Sequence, residues 1–385
     1  MTFRSSPLVV AGEDACGSLA GVGIPAFIKA LATATSARPL VKNFEARMYG
    51  LIAGNDVLPI TVNDGVENTC LVSSPTEFYV RYAHEEIGRQ SAGSVPLAIR
   101  LLNKLSLVIL RLAKVDRIAY LNNWPVWTNP YPNLTDYPIG DITKLLVNRF
   151  PNHLIGFRSL NRVFHQEFLG SLENLGYLIV PANHTYVCDF RDPEWRLSRN
   201  LRRDLTILKD SKLYLPVEHE RILPGDYSRI AWLYRQLNIL KYTERNPQYT
   251  EDFFRVLHQC GVAKFFGFRS REGTLEAIKG DIDMGGIRIN LFSGYNTNLE
   301  TADGQLFRLL TAKIFEEALL TCDGLNLGAA SAGAGKFKRL RGAKPTLEFN
   351  AYYVKHLSWL TNKLLTKFKE GMDSVGIAVM KRYDL

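Results

Sequence analysis

Four cations, Lys336, Lys338, Arg339 and Arg341, follow directly on a bend of small residues, Ser331 to Gly335. Small residues let another backbone or a ligand approach closely, and clustered cations suit an anionic partner. At helical spacing the four cannot share one side. Lys338 and Arg341 fall together at i, i+3, and Phe337 and Leu340 form the face expected to be buried. The cluster is therefore either an anion site built on Lys338 and Arg341 or a solvated basic face. A phosphate-binding P-loop is excluded, because it needs Gly, four residues, then Gly-Lys-Ser/Thr. Ala330 stands at the first position, and Phe337 stands where the magnesium-holding hydroxyl belongs.

Glu348 lies in an apolar and aromatic run, Thr346 to Tyr353. Strand alternation puts Glu348 and Asn350 on one side and Leu347 and Phe349 on the other. Facing a cleft, the carboxylate could orient an amine or accept its proton; facing away, it pairs with an arginine. Tyr295 follows Gly294 at the end of an expected strand, where its phenol either reaches a cleft or packs as a turn residue. Asn296 and Asp303 read as turn residues. Lys241, Tyr242, Asn246 and Tyr249 cluster at a helix break set by Asn246-Pro247, which serves as a helix–loop cap in the simplest reading. His219 and His356 stand isolated and read as structural. There is no Gly-x-Ser-x-Gly nucleophile elbow. The five cysteines lack metal-ligand spacing, which argues against a zinc site and for reduced thiols in a cytoplasm.

Several elements must position these residues. Strands are expected at Met48–Ala53, Val57–Val62 and Cys70–Ser73, with Gly54-Asn55-Asp56 as a hairpin turn. A long helix is expected at Pro96–Val115, then a strand at Arg117–Leu121. Helices at Asp141–Arg149 and Leu160–Leu175 alternate with strands at Leu154–Phe157 and Gly176–Pro181. Arg191–Lys212 reads as a charged helix with a solvated face. Asp226–Leu240 is apolar at helical spacing, and Thr250 can cap the helix after the break. Strands follow at Ala263–Ser270, Thr274–Asp283 and Met284–Ser293, a helix at Gln305–Leu320, and a final pair of strands at Leu325–Ala329 and Thr346–Tyr353. Asn122–Pro138 is rich in proline and aromatics, either a spacer or a cleft wall.

The chain has 385 residues, enough for two ordinary cores, and its net charge of +9 favours anionic partners such as phosphorylated cofactors, carrier proteins, tRNA or membrane surfaces. Arg100, Lys104, Arg111 and Lys114 interrupt Pro96–Val115, so no membrane span is expected. That helix reads as an amphipathic core helix, with a membrane-surface helix as the alternative.

The order of strand, Ser-rich bend, Phe-Lys-Arg, Arg-Gly and then Glu within a strand resembles the C-terminal half of FemAB-like, BioF2-type N-acyltransferases, built from two GNAT folds. The resemblance runs from about Gly225 to the C-terminus, with Leu291–Tyr295 as the central strand and Asn296–Gly304 as the thioester-side loop. It implies an α/β (α+β) fold of two tandem GNAT-like domains, each a splayed mixed sheet flanked by helices. These would be residues 39–215 and a catalytic 216–385, after a loosely ordered lead of 1–38. It further implies acyl transfer from a thioester, on an acyl carrier protein or coenzyme A, to the amine of an amino acid or related metabolite. No metal and no tightly bound cofactor are implied. Glu348 and Tyr295 would then be catalytic, with Lys338, Arg341, Ser331, Tyr242, Asn246, Tyr249 and Arg308 binding substrate. Of the usual pyrophosphate loop only Gly304 remains, so weak binding of free coenzyme A is expected and a carrier-bound or tRNA-bound acyl group is preferred. Aminoacyl-tRNA is the alternative donor, and a non-catalytic binding module with a degenerate acyltransferase fold is the alternative in kind.

Overall fold

The computed structural model describes residues 8–11, 23–34, 39–54, 56–91, 93, 95–211, 213–299, 305–330 and 332–383. Among these residues twelve strands run in chain order: β1 (Leu8–Ala11), β2 (Arg47–Ala53), β3 (Asp56–Asp64), β4 (Arg117–Leu121), β5 (Leu154–Asn161), β6 (Leu178–Asp189), β7 (Leu215–Val217), β8 (Lys264–Arg269), β9 (Leu275–Met284), β10 (Ile287–Tyr295), β11 (Gly324–Asn326) and β12 (Lys344–Tyr353). The α-helices are α1 (Ile24–Ala32), α2 (Ala83–Gln90), α3 (Leu97–Leu112), α4 (Ile139–Arg149), α5 (Gln166–Leu175), α6 (Arg199–Asp210), α7 (Asp226–Tyr234), α8 (Glu251–Gln259), α9 (Gln305–Thr321), α10 (Ala332–Arg339), α11 (Trp359–Gly371) and α12 (Ile377–Tyr383). A π-helical turn, Arg235–Leu240, extends α7.

All twelve strands join one mixed sheet in the order β1-β2-β3-β4-β5-β12-β6-β11-β10-β9-β8-β7. Exchange every strand for the one six places away in the chain, and the same order returns, read backwards. The halves thus share a topology about an axis between β12 and β6. Only β4–β5 and β10–β11 are parallel; every other pair is antiparallel. The mixed α/β architecture is the expected one, but residues 39–215 and 216–385 do not each own a sheet. β12, from the second half, lies between β5 and β6 of the first.

Helices cover both faces. On β8, Phe265 packs with Ile230 and Leu233 of α7, whereas Phe266 and Phe268 point the other way, against Leu306, Leu309 and Leu310 of α9. That is strand alternation meeting two apolar helix stripes.

Some elements depart from their sequence pattern for local reasons. Cys70–Ser73 forms turns, its backbone donating to Asn43 O and Arg245 O rather than to a ladder. α5 starts only at Gln166, since β5 runs on to Asn161, whose Oδ1 accepts from the amides of Val163 and Phe164. α6 begins at Arg199, where Ser198 Oγ accepts from Leu201 N and caps the helix. The expected core helix Pro96–Val115 is α3, and only Leu110 within it is fully buried. The helices α11 and α12 had no counterpart in the sequence reading. Cys70, Cys188, Cys260 and Cys322 are free thiols, while Cys16 lies outside the described residues.

α7 lies so close to β10 that a Cβ on Gly294 would sit 2.6 Å from Tyr234 N and 2.7 Å from the carbonyl carbon of Leu233. Backbone on both sides cannot yield as a side chain would. Gly294→Ala should therefore lower the free energy of unfolding by about 1–3 kcal/mol, read from urea denaturation; an unchanged midpoint would show that α7 is free to shift.

Candidate functional site

The parallel ladder between β10 and β11 is short: Ile287, Arg288 and Ile289 face Gly324, Leu325 and Asn326. β10 then continues to Tyr295 while β11 gives way to Leu327–Ala330, so the strands part. A β-bulge between Asn290 and Phe292 on the β9 side bends β10 at the same level. The parting opens a cleft of about 510 Å³, with Asn290, Ser293 and Tyr295 on one wall and Gly328, Ala329 and Lys338 on the other. The equivalent pair, β4–β5, also stops after a few residues, at Tyr120 and Gly156. There the space is filled. Arg158 donates through Nε to Asn123 Oδ1 (2.8 Å), through Nη2 to Val126 O (2.7 Å) and through Nη1 to Trp127 O (3.1 Å), tying the proline-rich loop into the gap. Trp127 from this loop does line the open cleft, while Trp124 is buried in the core.

Glu348 sits at the centre of the sheet and is fully buried. Two bulges flank it. On β6, Ala182 and Asn183 together oppose Glu348, between the pairs Leu347–His184 and Phe349–Pro181. On β5, Arg158 and Ser159 oppose Asn350, and Ser159 has φ +59 with its amide donating to Asn350 Oδ1. Burial pushes the Glu348 carboxyl up to about 7, against the charge of Arg158 and hydrogen bonds from Asn183, Thr185 and Asn326 that pull it down. Its Oε1 has no hydrogen-bond partner among the described residues. The carboxyl borders a space of about 10 Å³, room for about one water, shared with Tyr120, Trp127, Arg158, Asn183 and Asn350. Trp127 links that space to the large cleft. Asn183 links it to an apolar groove of about 220 Å³ that also includes Tyr82, Leu102 and Met372 in its wall.

The cationic turn is inverted relative to the expectation. Lys338 and Arg341 are buried, and Leu340, assigned to the inner face, is exposed. Lys338 Nζ donates to the carbonyls of Leu327 (2.7 Å), Gly328 (3.0 Å) and Ala329 (2.9 Å). These three bonds use all its donors, so it holds the loop after β11 rather than an anion. Burial brings its pKa down to about 7, while the nearby charge of Glu348 raises it. Arg341 pairs with Asp204 of α6 at 2.6 Å and lies over the Phe337 ring, and Arg308 of α9 pairs with the same carboxylate at 2.8 Å. Arg341 and Arg308 are thus joined through Asp204 as a clamp between α6, α9 and α10, outside the cleft wall. Ser331 lies outside the described residues.

Tyr295, Tyr242, Asn246 and Tyr249 do line the cleft, with Lys241 beside them. Lys241 Nζ donates to the Tyr295 hydroxyl at 3.3 Å. Tyr249 is anchored, its hydroxyl donating to Pro125 O (2.7 Å) and its ring stacked on Phe253. Asn246 Nδ2 donates to Asn238 O at 2.8 Å, and its buried Oδ1 has no partner among the described residues. His219 is not isolated, because its ring packs 4.1 Å from that of His258. Sequence reasoning missed Arg158, Asn183, Thr185 and Asn326 around Glu348, and also Asp204. No local motif marks any of them as a partner of Glu348 or Arg341, and each acquires its role through pairing with a distant segment. Among the described residues, no group of three or more His, Cys, Asp or Glu could hold a metal ion.

No family model and no curated protein matches this sequence. Among solved structures the chain is similar to FemX, at 9% identity over 80% of this chain and 88% of that one, with a TM-score of 0.45. It is similar to L-PGS from Bacillus licheniformis, at 15% identity over 60% and 79%, with a TM-score of 0.40. A GCN5-related N-acetyltransferase from Kribbella flavida follows the chain over 62% of its length and 82% of its own, at 11% identity and a TM-score of 0.33. Proteins of the kind the sequence resembles are thus among its solved neighbours. Likeness at these scores carries nothing about activity, which has to come from the site.

Glu348 makes the site testable without a substrate. Its folded pKa, about 7, lies above the ordinary carboxyl value of 4.5, so its contribution to stability is complete below pH 4.5 and is lost as pH rises through 7. At about 1.4 kcal/mol per pKa unit the loss is roughly 3 kcal/mol. Glu348→Gln should remove this decline, measured as unfolding free energy between pH 4.5 and 8 against the wild type. Parallel pH profiles for the two proteins would show that the carboxyl stays ionised in the fold.

Proposed function

We propose that this protein is an N-acyltransferase that moves an acyl group from a thioester to an amine. The observation that carries the proposal is the combination at the sheet centre: two parallel strands part over an open cleft, and a buried carboxyl poised near neutral pH stands behind it. The facing edges of β10 and of the Leu327–Ala330 loop suit an extended, amide-bearing thioester arm. The apolar groove suits its acyl chain. The polar side of the cleft, at Tyr242, Asn246 and Tyr295, suits the amine acceptor. The amine nitrogen attacks the thioester carbonyl carbon, the C–N bond forms and the C–S bond breaks. Glu348, through one water in the space beside it, takes the proton the amine loses and returns it to the departing sulfur, which leaves as a thiol. Lys338 and the Asp204 clamp position the cleft wall and do not touch the reacting atoms.

Aminoacyl-tRNA is a second reading for the donor. The net charge of +9 favours it, as do Arg199, Arg202 and Arg203 along the exposed side of α6.

The decisive assay is thiol release from acyl chains of increasing length, on coenzyme A and on a carrier protein, with a panel of amino acids as acceptors. Chain-length-dependent release that requires the amine is expected, stronger from the carrier protein. Glu348→Gln should lower turnover by about 10²–10⁴-fold with no loss of thermal stability. Equal turnover in the two proteins would reduce Glu348 to a structural residue. Loss of aminoacyl label from a charged tRNA pool, with no thiol release from any thioester, would replace the donor.

A further inference from the structure

Among the described residues, six of the seventeen exposed large hydrophobics lie on one helix, α3: Leu97, Leu101, Leu102, Leu105, Val108 and Leu112, each 39–64% exposed. At roughly 100° per residue, Leu97, Leu101, Leu105, Val108 and Leu112 fall within about 80° of one another. They form a continuous outer stripe four turns long. The opposite side of the helix is occupied, with Leu110 buried and Leu107 and Ile109 packed against Leu365 and Phe368 of α11. The outer stripe is therefore not a core face, and five aliphatic side chains in line on one exposed helix mark a contact surface rather than scattered surface residues.

Charge identifies the occupant. Arg100, Lys104 and Arg111 project within about 40° of each other, along one border of the stripe. The helix has no acidic residue anywhere in Leu97–Leu112. Arg111 is partly committed, pairing with Glu67 at 2.7 Å, whereas Arg100 and Lys104 are exposed. An apolar arc edged by cations is the pattern of a helix lying in the interface of an anionic bilayer. No helix among the described residues is long and apolar enough to cross a membrane, so the contact is with the surface. Leu102 and Leu105 of the same helix line the apolar groove, so the groove flanks the stripe.

We infer that α3 docks this protein on an anionic membrane surface, with the leucine stripe entering the headgroup boundary and Arg100 and Lys104 meeting the lipid phosphates. The inference stands apart from the acyltransfer reading, because it needs no turnover to be tested.

The test is co-sedimentation of the full chain with vesicles of phosphatidylcholine alone and of phosphatidylcholine mixed with phosphatidylglycerol, beside sedimentation equilibrium without lipid. The substitutions Leu101→Glu and Val108→Glu, made together, avoid the groove wall and sit on exposed positions, so the fold should persist by circular dichroism. Wild type should bind the phosphatidylglycerol vesicles, and the double variant should bind them roughly tenfold or more weakly. Arg100→Glu with Lys104→Glu should bring binding down to the phosphatidylcholine level, and added salt should weaken the wild type in the same direction. Failure of wild type to bind phosphatidylglycerol vesicles overturns the inference, as does undiminished binding by Leu101→Glu/Val108→Glu. A wild-type dimer that this variant converts to a monomer, without vesicle binding by either, would assign the stripe to a second copy of the chain.

Discussion

The pairing of β12 with β6 is the constraint on which the molecule depends. Each strand closes the other half of the chain: β12 returns to lie between β5 and β6, and β6 separates β12 from β11. Neither half can complete its sheet alone, so the two halves of the chain form one sheet around a shared ladder. The contacts that join them span much of the sequence, Glu348 facing Asn161 and Lys344 facing Val187. Such distant pairing carries a large loop-closure cost that many local elements must first reduce. The same exchange puts Glu348 on a strand flanked on both sides, which is why its carboxyl is buried rather than at a sheet edge.

Related topology does not give related sites. Both halves possess a parallel strand pair that parts after a few residues, and parting leaves polar backbone that has to be satisfied. In the first half a long side chain and a loop do this, Arg158 reaching the carbonyls of Val126 and Trp127. In the second, the backbone after β11 carries Gly328, Ala329 and Ala330, too small to fill the gap, and the carbonyls of Leu327, Gly328 and Ala329 are met by Lys338 in the cleft wall. One gap is closed by a cation that spans it; the other stays open beside a cation that ties down one wall. Burying an ammonium group is costly, and the fall of the Lys338 pKa to about 7 records that cost even with three carbonyls in place.

Much of the fold was legible because it rests on short periods. Period-two runs located β2, β3, β8, β9, β10 and β12 within a few residues, and the apolar stripe of Leu306, Leu309, Leu310 and Ile314 located α9. Alternation also put Glu348 and Asn350 on one side of β12, where the structure has them both beside the small space near Trp127. What failed was any inference that needed a partner. Lys338 and Arg341 read as an anion site, or else a solvated basic face, because their partners are three backbone carbonyls and an aspartate on α6, none of which advertises itself. α3 read as a core helix because its composition is apolar, and composition does not say how much of a helix the rest of the chain will cover. The joining of the two halves was equally invisible, since strand exchange leaves no trace in local pattern.

Departures from ordinary protein chemistry converge at the middle of the sheet. Within a few residues there are two β-bulges, a left-handed serine at Ser159, a buried carboxyl oxygen without a partner among the described residues, and a carboxyl displaced to about 7. Nearby, a buried lysine is displaced to about 7 in the opposite sense. Each is unfavourable for stability taken singly. A glutamine at 348 would relieve the burial of charge, and a leucine would relieve the unmet polarity. Natural folds concentrate such violations where a site needs them. The bulge formed by Ala182 and Asn183 has a further effect, because it turns Asn183 toward both Glu348 and the apolar groove. The Glu348 carboxyl thus stands between an apolar groove and a polar cleft, at the one place where both border its small space, and the exchanged strands fix that point.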